Sequence, residues 1–113
     1  MSKFEEKVAA YVAEAKKLNL SLDEKFIALV AKGLGPSLYN ADAETIAATD
    51  KAELDRVKTN VLQKKLGLAD GPELDKALDE VIEKIGKSNR NKYRVLVYAL
   101  LAVKFKKESV YNK

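Results

Sequence analysis

VLVYALLAV, residues 95–103, is the longest apolar run in the chain, and KSNRNKYR, residues 87–94, puts four cations directly ahead of it. A helix that is apolar all round is stable only when neighbours surround it. The run therefore predicts a buried helix, starting near Ser88 or Asn89 and ending at about Phe105, at the centre of a helical domain. It is too short for a membrane span, which needs about 20 apolar residues.

Working outward, the remaining chain supplies neighbours for that helix. Phe4, Val8, Tyr11, Val12, Ala15 and Leu18 recur at helical spacing behind Ser2, predicting an amphipathic helix over 3–18. Ser21-Leu-Asp-Glu24 has the form of a capping box opening a second helix with Phe26, Ile27, Leu29 and Val30, and Gly33 is placed to end it. Gly35-Pro36 breaks regular structure, and a brief helical turn capped by Asp42 is expected at 43–48.

Asp50-Lys-Ala-Glu53 opens another helix through Leu54, Val57, Val61, Leu62 and Leu66, stopped by Gly67. Asp70-Gly-Pro-Glu73 starts the next, whose stripe runs from Leu74 to Ile85 before Gly86. These last two helices share Asp, Glu, Leu and Lys positions at an offset of 20, which suits two ordinary capped helices better than a solenoid. No stretch alternates as a strand does. The fold class predicted is all-α: one domain over 1–113, a compact bundle or orthogonal array of about five helices around the apolar C-terminal one.

Composition limits the chemistry. With 47% apolar and 34% charged residues the chain lies within the globular range. Zero cysteines exclude disulfides and thiolate sites, and zero histidines remove the usual residue of zinc sites and Ser-His triads. The start, MSKFEEKVAAYVAEAKK, has no apolar core of a signal peptide, so a cytoplasmic protein is expected. Gly33-Leu-Gly35 is not a nucleotide-binding fingerprint, because position 38 is Leu and no strand precedes it. Neighbouring carboxylates such as Asp79 and Glu80 diverge on a helix and make a poor acid–base pair. The expectation is a protein that is not an enzyme and takes no metal or cofactor.

Charge is uneven. Residues 87–113 hold eight Lys or Arg against one acid, Glu108, whereas residues 1–86 hold thirteen bases and sixteen acids. Cations in the first turn of a helix oppose its dipole, so Lys87, Ser88, Arg90, Lys92 and Arg94 are the candidate anion-binding residues. An external phosphate fits such a cluster. So do the protein's own acids: the preceding helix would pack antiparallel beside the basic segment and offer Glu80 and Glu83. Tyr93, Tyr98 and Tyr111 interleave with the bases, as stacking platforms for single-stranded nucleic acid do, or else as core residues.

The strings GLGPSLYNAD (33–42), SNRNKYR (88–94) and ESVY (108–111), in this order in a short helical chain, resemble a small bacterial family known only as a domain of unknown function, the one numbered twenty-eight fifty-three. The resemblance implies a bacterial, soluble, all-helical protein and supplies no activity, ligand or catalytic residue. It points to Tyr39, Asn40, Asp42, Arg90, Lys92 and Glu108 as residues able to form one polar surface, or to act as caps and turn clamps. Two functions are expected: a binding module recognising an anionic partner, nucleic acid or an acidic protein, through 87–107; or a protein–protein adaptor or homo-oligomer using an apolar patch around Leu34, Leu38 and Tyr39.

Overall fold

Among the described residues five helices carry the architecture: α1 (Lys3–Lys17), α2 (Glu24–Leu34), α3 (Lys51–Val57, continued by a π-helical stretch Lys58–Lys65), α4 (Pro72–Ile85) and α5 (Arg94–Lys104). The computed structural model describes residues 3–20, 22–35, 39, 45–46, 50–69, 71–86, 92–107 and 111. No strand occurs among the described residues, and none of their helices is long and apolar enough to cross a membrane. The fold is all-α, as the periodicity predicts.

Helix α5 is the hub. Every residue from Val95 to Ala102 is buried, and α5 packs against α1, α2 and α4. Each large aliphatic side chain so enclosed contributes about 1.5–3 kcal/mol, so this helix anchors the core. Val103 is exposed, which marks where the enclosure ends. A radius of gyration of 13.0 Å is that of a compact chain of this length.

Local chemistry sets the boundaries, with several departures from the expectations. The cap of α2 is Asp23, whose carboxylate accepts from the Lys25 N–H at 3.1 Å; Ser21 lies outside the described residues. The cap described is an Asx cap, and the expected box, which needs Ser21, lies outside the described residues. Helix α2 also runs through Gly33, and it is Gly35 that takes the left-handed conformation, φ 59°, and ends it. Asp50 caps α3 as predicted, accepting from Ala52 N–H at 3.0 Å, and Pro72 begins α4. Asn19 closes α1 from φ 59°, with the Leu20 N–H reaching the Ala15 carbonyl at 3.0 Å.

The π-helical stretch is a feature that an ordinary helical reading of 51–66 lacks. Its wider turn, seen in the Leu66 N–H donating to the Val61 carbonyl at 2.8 Å, turns Val57, Val61, Leu62 and Leu66 all inward. Helix α5 starts at Arg94, later than the expected Ser88 or Asn89, because Lys92 and Tyr93 are taken up elsewhere. The Ile46 N–H donates to the Lys92 carbonyl at 2.9 Å, and Thr45 bridges Tyr93 in antiparallel fashion. That same bridge holds 45–46 outside the helical turn expected at 43–48.

Candidate functional site

Two regions stand out among the described residues. At the first, Arg94 leads into α5 with no acid in the helix's first turn. Its guanidinium donates to the Glu53 carboxylate of α3 and, at 2.8 Å, to the Tyr98 hydroxyl one turn along. Arg56 donates to the other Glu53 oxygen at 2.8 Å. The side chains of Glu53 and Arg94 are only 12% and 15% exposed, so the pair is shielded from water and salt.

Burial pushes the Glu53 carboxyl up, but the hydrogen bonds and charges of Arg56 and Arg94 outweigh it and leave it below the usual carboxylate value. For Arg94, burial works against the charge and is overcome by the bonds to Tyr98 and Glu53, so the guanidinium holds its proton more firmly than usual. The anion that compensates this cation is the protein's own.

Tyr111 extends the region. Its ring meets Phe26 edge-on at 5.7 Å, and the Lys65 ammonium lies 5.0 Å above it. Burial, and then the charge of Tyr98, push its hydroxyl up to about 12. Beside it a cavity of about 160 Å³ is lined by Asn60, Val61, Lys65 and Tyr98. Tyr93 packs on Tyr11 with ring centroids 4.8 Å apart and Tyr98 is buried, so of the interleaved tyrosines these two belong to the core.

Three of the predicted site residues lie among the described ones. Lys92 is buried, Arg94 is paired with Glu53, and Tyr39 is 50% exposed. Lys87, Ser88 and Arg90 lie outside the described residues, as do Leu38, Asn40, Asp42 and Glu108. The expected antiparallel packing of α4 on the basic segment is corrected for Glu80, which joins Lys104 at the far end of α5. The Lys104 hydrogen bond and charge hold the Glu80 carboxyl below its ordinary value. Val81 and Lys84 likewise border Leu100 and Val103, so the C-terminal halves of α4 and α5 lie together.

The second region is a groove of about 680 Å³ between α1 and α2. Phe4, Val8 and Val12 of α1 form its half-buried apolar floor, and Ala9, Ala13 and Ala28 keep its walls low. Glu5, Lys16, Glu24 and Lys25 stand at its rim, with Lys16 and Glu24 paired at 2.9 Å. The helical spacing of α1 made its inner face legible. Phe4, Val8 and Val12 pack against the core as that spacing predicts, but the spacing does not show that they stay half-buried.

Residues 10–109 match a family model described as a protein of unknown function (DUF2853). The chain belongs to that family. The match spans all of α2 to α5 and most of α1, so both regions fall inside or at the margin of the family's domain. No curated protein matches the chain. Among the described residues no group of three or more acids, histidines or cysteines is arranged to hold a metal ion.

Proposed function

We propose that this domain is a non-enzymatic protein-interaction module that seats an amphipathic helix in the groove between α1 and α2. The observation that carries the reading is the groove itself. It is open, its floor is aliphatic and aromatic, and its rim bears both signs of charge. Helix-in-groove recognition uses such a surface: apolar anchors at i, i+3 or i+4 fill the floor, and rim charges fix direction. Of the patch expected around Leu34, Leu38 and Tyr39, Tyr39 is exposed, Leu34 is half-buried and Leu38 lies outside the described residues, so the reading rests on the groove, whose floor and rim are described throughout.

The rival reading is an anionic partner, nucleic acid or an acidic protein, on 87–107. It keeps Lys106 and Lys107 but shares Lys104 with Glu80 and Arg94 with Glu53. The groove is the better supported of the two because, among the described residues, its apolar floor stays half-buried and open.

The test is a titration of the isotope-labelled chain with a panel of amphipathic helical peptides, read by amide shifts. Shifts confined to α1 and α2, and lost in Ala28→Glu, are expected. Shifts centred on 92–107 that vanish steeply with added salt would establish the anionic partner instead.

A further inference from the structure

The charges on the outer face of α1 are antisymmetric about its middle: reversing the helix exchanges acids for bases. Glu5, Glu6, Ala9, Ala13, Lys16 and Lys17 are all exposed. At about 3.6 residues per turn, Ala9 and Ala13 occupy the middle of this face, Glu5 and Lys16 flank it on the groove side, and Glu6 and Lys17 flank it on the other. We propose that the helix seated against this groove is α1 of a second copy of the chain, related by a two-fold axis at the level of Tyr11. The proposal rests on the groove reading and names its occupant.

The symmetry makes the partner specific. Turning α1 about that axis sets Glu5 against Lys16 of the second copy and Glu6 against its Lys17, and the same two pairs recur on the other half. Ala9 then faces the second copy's Ala13. Residues this small let two helix axes approach to the near end of the usual range of about 8–10 Å. Val12 borders the seam on the groove side, so the second helix covers part of the apolar surface that α2 leaves open.

A parallel arrangement sets Glu5 and Glu6 on their own copies and lysine on lysine, which the charges reject. Lys16 remains able to join a second acid, because its pair with Glu24 is solvent-exposed on both sides, at 72% and 61%.

Sedimentation equilibrium on the full chain tests this. The wild type is expected to dimerise in a concentration-dependent way. The pairs Glu5→Lys with Glu6→Lys, and Lys16→Glu with Lys17→Glu, should each weaken association by more than about tenfold, since four attractions become repulsions. Mixing the two variants in equal amounts makes every pair attractive again and should restore a dimer; a variant that had simply unfolded is not rescued by mixing. A wild-type chain that stays monomeric at millimolar concentration overturns the proposal, as does a dimer indifferent to both reversals. If that monomer's α1 and α2 amides still shift with the peptide panel, the groove reading survives and only the second copy is excluded. If they do not, both are refuted.

Discussion

Helices α1 and α5 handle charge in opposite ways. Helix α1 has Glu5 and Glu6 in its first turn and Lys16 and Lys17 in its last, in accord with its dipole, and all four are exposed. Helix α5 begins with Arg94, the wrong sign for its dipole, and continues through eight buried residues. That cation is closed off by Glu53 and Tyr98. A charge that opposes the helix field and borders the core is costly unless the fold supplies its counterion, whereas charges in accord with the field are favoured by it and can remain at the surface.

The contrast breaks most visibly in the interior. Leu101→Ala, at a fully enclosed position of α5, should lower unfolding free energy by about 2–5 kcal/mol. Ala13→Ser, on the open face of α1, should stay within about 0.5 kcal/mol. Urea midpoints of the two variants make the comparison, and similar losses would mean that α1 is enclosed on both sides.

Next in size is the Arg94 node. Glu53→Ala takes the carboxylate away from a sheltered guanidinium and should cost about 2–3 kcal/mol, with strong coupling to Arg94→Met in a double-mutant cycle. Because the folded Glu53 carboxyl ionises more readily than the unfolded one, its contribution is complete above the ordinary value of 4.5 and is lost as the pH falls below it. Glu53→Gln should therefore flatten the acid limb of stability against pH. An unchanged acid limb would show that the pair is not formed.

Smaller effects sharpen the end of α2, which separates the groove from the Tyr111 cavity. Gly35→Ala forces an L side chain to φ 59° and should cost about 1–2 kcal/mol. Gly33→Ala should instead stabilise by about 0.5–1 kcal/mol: it lies within the helix, and an added Cβ would meet the Tyr111 ring at an ordinary 3.8 Å. Thermal melts of both decide whether the chain ends the helix where the structure places it.

The helices were legible because their signals are local. Asp50, Pro72, Gly67 and Gly86 mark ends within a turn of where they act, and VLVYALLAV announces its own burial. What escaped depends on contacts distant in sequence. Glu53 looks like a capping-box acid, and nothing within a turn of it announces a partner on α5. The start of α5 depends on a hydrogen bond from Ile46. The π-helical stretch differs from an α-helix by one residue per turn, which Val57, Val61, Leu62 and Leu66 satisfy almost equally well. The groove escaped for a related reason: a wide apolar stripe does not say how much of it a neighbour covers.

One measurement asks directly whether the outer face of α1, and not the basic entrance to α5, is where the chain meets another molecule. The chain has no cysteine, so Ala10→Cys, exposed on α1 beside the proposed seam, gives a single site for a nitroxide label. Labelled copies mixed with isotope-labelled, nitroxide-free copies report intermolecular proximity through amide broadening. Broadening confined to α1 and the facing turns of α2 is the result expected; broadening centred on residues 92–107 would contradict it.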